Sequence, residues 1–252
     1  MEAEAEIAVR DCNTLDDYRQ CVEVQQTVWG WEDRELIPLR FFVVAHKIEG
    51  QVIGAFEPGG RMVGFSLAVP ALKGKTVYLH SHMLGVLANY RERGVGRRLK
   101  LEQRRKALKS GIKLIEWTFD PLELKNAYFN IERLGAIARR YVPNQYGTSS
   151  SPLHRGLPTD RLVAEWWLDS PRVIARTKNA HRRDCDILSR IAVPTSVADA
   201  AKKPKVPVAR IQKELRQQFQ DAFSAGLAAV GFELTENVGS YLLGRFPAAK
   251  RP

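Results

Sequence analysis

Cysteine is scarce in this chain: Cys12, Cys21 and Cys185 are three among 252 residues. Their number is odd and no two stand in a C-x-x-C spacing, which argues against a disulfide framework and against a zinc cluster built on thiolates. Reduced, packed thiols are expected. Long apolar runs are missing too, with no stretch of about eighteen uncharged apolar residues to cross a bilayer. The opening "MEAEAEIAVRDC" is acidic and lacks the basic start of a signal peptide. These absences give the expectation of a soluble, cytoplasmic protein. At the glycine-bearing turn of residues 91 to 96 the Gly-Lys-Ser/Thr of a P-loop is missing, and no repeat suggests a solenoid.

What is abundant is positive charge. The formal net charge is +11, unevenly spread: residues 171 to 252 hold 15 Lys+Arg against 7 Asp+Glu, whereas residues 1 to 170 hold 24 against 21. Such an excess attracts phosphates and other anions in general, and charge alone does not select among nucleic acid, a phosphorylated cofactor and solubility.

Hydrophobic patterning gives an α/β chain in the order β-α-α-β-β-β-α-β-α-β-β followed by a tail. "IAVRDC" alternates like a short strand, and "TLDDYRQCVEVQQTVW" reads as a helix capped by Thr14. "ELIPLRFFVVAHKIEG" is a second helix with Pro38 in its first turn. "QVIGAFEP", "RMVGFSLAVP" and "TVYLHSHMLGVL" are strands, of which the first two form a hairpin. A helix runs from Gly94 to Lys109, "IKLIEWTFDP" is a strand, "LELKNAYFNIERLG" a helix, "AIARRYV" and "RLVAEWWL" strands, and residues 144 to 160 a loop. The expected division is a domain over residues 1 to 170 and a basic extension over 171 to 252. In the extension, a proline-punctuated linker precedes a helix running through "ARIQKELRQQFQDAFSAGLAAVG" to Gly231, and "FELTENVGSYLLGRF" closes as a hairpin.

One junction carries chemistry. Arg91-Glu92-Arg93-Gly94-Val95-Gly96 lies between a strand and a helix that opens with Arg97 and Arg98. The first amides of a helix lack carbonyl partners and the helix dipole adds partial positive charge, so a diphosphate can be held largely by backbone where glycine leaves room. The pattern is too short, and comes too late in the chain, for a Rossmann fingerprint.

With Arg91, Gly94 and Gly96 meeting Q/R-x-x-G-x-G/A, the chain resembles the GNAT superfamily of acyl-CoA-dependent N-acyltransferases. "VLANYRERGVG" has that family's Val-x-Pro-x-Tyr-Arg-x-x-Gly-x-Gly shape, with Ala88 in place of proline. The likeness covers roughly residues 6 to 168 by order of elements, with specific motifs only between 79 and 136. It implies a mixed central sheet flanked by helices, strands 4 and 5 splayed, and acetyl-CoA or another acyl-CoA as co-substrate without a metal. It implies further that Arg91, Arg93, Gly94, Val95, Gly96 and Arg97 hold the CoA pyrophosphate, that Leu84, Gly85 and Val86 line the pantetheine arm, and that Asn126, in "NAYFNIERLGA", belongs to the cofactor site. Where many members carry a tyrosine acid for the CoA thiolate, this chain has Ile131. The acid is left among Tyr128, Tyr141 and water.

An amine attacking a thioester must be deprotonated, and a base of near-neutral pKa suits that task. His80 and His82 stand two apart on the strand before the glycine turn, which puts both on one face and within reach of a water-bridged relay. Their spacing from the turn is similar to that of the paired histidines of serotonin N-acetyltransferase, a member of the same superfamily. Two other readings compete: hydrogen-bonded fillers in a half-buried strand, and zinc ligands completed by His46, His154 or His181. Glu116 is a rival base, whose plainer reading is an exposed strand glutamate.

For the acceptor, Trp31 and Glu32 between the first two helices, and Glu165 and Trp167 near the end of the last strand, are the available aromatic and acidic groups. Of Trp166 and Trp167, which face opposite ways, one belongs to the core. The implied partner is a small-molecule amine, with a homodimer left open and no membrane. Ten Arg/Lys between residues 91 and 113 raise a nucleic-acid-binding module as the alternative, yet no helix-turn-helix, RRM or KH signature supports it. A GNAT fold that binds CoA without catalysis is the third reading.

Overall fold

The computed structural model describes residues 6–31, 35–147, 156–180, 185–197 and 207–246. The chain divides into two compact units, one built from residues up to Ile115 and the other from Glu116 onward.

In the first unit the elements are β1 (Ala8–Asp11), α1 (Leu15–Trp29), α2 (Leu39–Lys47), β2 (Gln51–Phe56), β3 (Met62–Lys73), β4 (Thr76–Val86) and α3 (Val95–Lys109). β1, β2, β3 and β4 pair successively and antiparallel, so the expected hairpin of β2 and β3 continues into a second one with β4. α1 starts where the sequence signals it. Thr14 accepts from the Asp17 amide while Asp17 accepts from the Thr14 amide, and Gly30 in the left-handed region ends the helix. Pro38 proves to be the N-cap of α2 rather than a residue of its first turn. Tyr18, Cys21 and Val24 of α1 and Phe42 and Ala45 of α2 pack with Phe65, Leu67 and Met83 in one layer. On the opposite face, Val95 and Leu99 of α3 pack with Ile53, Ala55 and Val63. Cys12 and Cys21 are buried free thiols and Cys185 is free and half-buried, as expected.

β5 (Leu114–Phe119) crosses the division between the units. The second unit continues with α4 (Leu124–Tyr128), which widens into a π-helical turn over Phe129–Arg133, then β6 (Ile137–Val142), β7 (Arg161–Trp167), α5 (Pro171–Thr177), β8 (Ser189–Pro194), α6 (Val208–Ser224), β9 (Ala228–Leu234) and β10 (Val238–Gly244). Its strands lie in the order β5-β7-β6-β9-β10-β8. Residues after 171 therefore share a unit with those from 116 onward.

Two expectations fail here. The helix does not run through to Gly231: α6 stops at Ser224, Gly226 takes φ +77°, and Ala228 begins a strand that pairs with β10 and touches β6 at Ala138. The small residues of "GLAAVG" read as helix by propensity, and sheet pairing overrides it. α5 and β8 were not expected, although Ser170 followed by Pro171 is a helix start and Ile191 and Val193 alternate inward. Much of the anticipated linker, residues 198–206, lies outside the described residues. Among the described residues no helix is long and apolar enough to cross a membrane.

Candidate active site

The histidines and the glycine turn both belong to the first unit. Pairing of β3 with β4 shifts by one residue: Leu67 faces Met83, Ala68 faces Ser81, and His82 is the extra residue of a β-bulge. The extra residue inverts the alternation. Above it, Leu84 and Val86 pack beside α3, while Met83 belongs to the layer of α1 and α2. Below it, Ser81 turns to α3, where its Oγ accepts a 2.9 Å hydrogen bond from Lys100 Nζ. His80 lies opposite Val69, whose side chain packs in the α1/α2 layer. The imidazole centroids of His80 and His82 are 6.1 Å apart and the rings are tilted by 42°. Both histidines thus stand together, as the spacing predicts, but on a kinked strand rather than a regular one.

His80 is half-buried and His82 exposed. Protein packed around His82 and, secondarily, the neighbouring His80 lower the His82 pKa below the ordinary imidazole value, even though the ring itself reaches solvent. The neutral ring, able to accept a proton, is favoured.

Beside the pair, Gly85 is required by a close approach. A Cβ there would lie 2.9 Å from the Trp29 ring, which stacks on Trp31 at 4.9 Å between centroids. The two indoles at the end of α1 thus lie against β4. The acidic neighbour proposed for this segment, Glu32, falls outside the described residues.

Past Val86 the chain makes a 3₁₀ turn over Ala88–Tyr90 and enters α3. Arg91 Nε donates to the Val86 carbonyl at 3.0 Å, the Tyr90 hydroxyl bonds to Glu57, and the Arg93 guanidinium sits 5.6 Å from the Tyr90 ring centroid. Glu92 and Gly94 take φ of +63° and +78°, and Gly94 is the N-cap of α3 with no side-chain cap. A Cβ at Gly94 would meet nothing within 4 Å, so the left-handed backbone, not crowding, demands glycine. Arg91, Arg93, Gly94 and Arg98 are exposed, Gly96 and Arg97 half-buried, and Val95 is buried in the α3 layer. A helix N-terminus without a capping side chain, ringed by arginines, is a donor set that fits a diphosphate.

The remaining candidates lie in the second unit. Glu116 is not the exposed strand glutamate of the plainer reading. It is buried on β5, and its carboxylate takes a 2.7 Å ion pair from Arg140 Nη2. Glu165 is buried as well, between Arg139 and Arg140, and accepts from Trp167 Nε1 at 3.3 Å. Trp166 is the core tryptophan, donating to the Leu134 carbonyl, and Trp167 is half-buried. Asn126 is exposed on α4 and accepts from Asn130 Nδ2 at 3.0 Å, while Asn130 accepts from Trp117 Nε1. Ile131 is buried and Tyr128 is 38 % exposed. The Tyr141 hydroxyl donates to Asp160 at 2.7 Å, and burial, then that bond, pushes its pKa up.

Among the described residues no group of three or more metal-ligating side chains forms. His46 is exposed on α2, and His154 and His181 lie outside the described residues. The basic run of residues 91 to 113 does not form one face: Lys100 is buried, Lys106 pairs with Asp11, and Arg105 pairs with Glu102. Sequence reasoning missed Ser81 and Lys100, for which the local pattern held no signal.

No family model and no curated protein matches the chain. Solved structures do. The ribosomal-protein-S18-alanine N-acetyltransferase of Escherichia coli aligns with a TM-score of 0.52 at 14 % identity, over 66 % of this chain and 96 % of its own. A Salmonella typhimurium protein assigned as an acetyltransferase and solved with acetyl-CoA gives 0.53 at 14 %, over 72 % and 100 %. A GNAT-family acetyltransferase from Streptococcus pneumoniae gives 0.50 at 14 %, over 64 % and 98 %. The chain resembling GNAT proteins in its motifs therefore also has their fold.

Proposed function

We propose that this protein is an acyl-CoA-dependent N-acyltransferase that transfers acetyl, or another small acyl group, to a primary amine. The observation that carries the reading is the joining of two devices on one stretch of chain: paired imidazoles at a bulge of β4, and an uncapped, arginine-ringed helix start after it. A diphosphate on the amides of residues 91 to 96 would leave the rest of CoA to run along Leu84, Gly85 and Val86.

In this reading the ammonium form of the acceptor loses its proton to His82, with His80 as relay through water. The freed nitrogen lone pair attacks the thioester carbonyl carbon, and backbone donors near Val86 stabilise the oxyanion. Collapse breaks the carbon–sulfur bond while the attacking nitrogen gives up its second proton to water, releasing the neutral amide and CoA thiolate, which takes a proton from water. The lowered pKa of His82 supports the base role, since the ring is then neutral near pH 7. No covalent enzyme intermediate is needed. The stacked indoles of Trp29 and Trp31 favour a flat or apolar acceptor.

The test is acetyl-CoA turnover by the full chain against a panel of amines, read as thiol release. Turnover that falls in His80→Ala and His82→Ala variants with unchanged acetyl-CoA affinity is expected. Acetyl-CoA binding without dependence on either histidine would remove the base assignment and leave a CoA-binding protein.

A further inference from the structure

Lys100 has no part in the chemistry above, yet it is among the largest fully buried side chains, at 2 % exposure. Its Nζ donates to two neutral oxygens, Ser81 Oγ and Gln103 Oε1, each at 2.9 Å. Burial pushes its pKa well below the ordinary lysine value.

Its partner matters. Ser81 is the residue between His80 and His82, and it is the last residue in register before the bulge. A bulge interrupts the ladder and leaves its extra residue without a facing partner, so other contacts must fix where along the strand it forms. A slip by one position would exchange which β4 side chains face α3. Ser81 would turn away from Lys100, leaving a buried donor without its hydroxyl, and an imidazole would turn inward in its place.

We infer that Lys100 is a positioning residue for the histidine pair: through Ser81 it fixes the bulge of β4 and so sets His80 and His82 side by side. What the pair does rests on the acyl-transfer reading; where the pair sits does not. Lys100 reaches the pair through Ser81.

The experiment uses the full chain with ¹⁵N-labelled histidine and compares wild type, Lys100→Met, Ser81→Ala and the double variant. The ring nitrogen signals of His80 and His82, assigned by His80→Gln and His82→Gln, are followed beside thermal unfolding. Lys100→Met keeps the length and apolar stem of the side chain. It is expected to move both histidine ring signals in a folded protein and to lower kcat ~10–100-fold with the acetyl-CoA KM unchanged. Ser81→Ala, which breaks the same bond without touching α3, is expected to do the same, and the double variant to do no worse than either single one. Should Lys100→Met fail to fold, Ser81→Ala decides alone. Unmoved ring signals in a folded variant, or additive losses, would overturn the inference. If no amine serves the wild type, the acyl-transfer reading fails on turnover while the ring signals still decide the positioning role.

Discussion

The two units handle buried polarity in different ways. In the first, the buried charge-capable group beside the proposed site is Lys100, whose desolvated Nζ bonds to a hydroxyl and an amide oxygen. In the second, buried carboxylates meet guanidinium groups. Asp160 receives both Arg216 Nε and Nη2 at 2.9 Å as well as the Tyr141 hydroxyl, half-buried Glu132 pairs with buried Arg176 at 2.8 Å, and Glu116 pairs with Arg140. Arg172, also buried, donates to the carbonyls of Gly135, Ile131 and Val230. Matched ions tie elements distant in sequence, such as α6 and the approach to β7, and they do so at fixed charge. The lesson is that the second unit's buried polar groups serve architecture, as the Asp17–Arg10 pair does in the first, whereas Lys100 lies next to the first unit's proposed chemistry.

The comparison can be broken from either side. The largest effect is expected at the histidines: replacing both by alanine should lower kcat by ~10²–10⁴, measured as thiol release, while unfolding changes little. A large loss of stability without loss of turnover would reverse the contrast. In the second unit, Asp160→Ala strands Arg216, Tyr141 and the Asn144 amide and should cost about 3 kcal/mol in denaturant unfolding. A smaller cap sharpens the first unit's own ledger. Asp17 is held far below the usual carboxylate range by the Arg10 guanidinium, against the cost of burial and with help from the amides of Asn13 and Thr14. Asp17→Ala should cost about 1–2 kcal/mol. Because the folded pKa is depressed, that contribution is present above the unfolded carboxylate value and fades as pH falls below it. Smallest is a displacement of the pH–rate profile. The His82 pKa is lowered, so the acid limb of kcat/KM should lie below the ordinary imidazole value near 6.5. A limb at or above that value would mean that the titrating base is another group.

How much of this was legible beforehand depends on how local the signal is. The run from β4 through the glycine turn into α3 is continuous and patterned, so the strand, the turn and the closeness of His80 and His82 could be read from spacing, whereas glycine at 94 was expected for room and is demanded instead by its left-handed backbone. The bulge could not, because one extra residue in a strand leaves no mark in the alternation of "LHSHMLGV". Lys100 was hidden for the opposite reason: it stands in a run of arginines and lysines, where a cation normally faces water, and only the packing of α3 on the sheet buries it. Glu116 misled in the same manner, since its partner Arg140 lies twenty-four positions away on β6. The tail failed through propensity, with "GLAAVG" favouring helix locally while pairing with β10 imposes a strand. Long-range pairing, in charge or in hydrogen bonds, is what the linear pattern does not record.

The central claim is that the start of α3 receives acyl-CoA. Isothermal titration of acetyl-CoA into the full chain, beside Gly94→Val, tests it most directly, because valine disfavours the left-handed backbone and fills the open space over the helix start. Saturable binding by the wild type, weakened at least about tenfold in the folded variant, is the predicted result. No heat from the wild type, or equal affinity in both proteins, would contradict it.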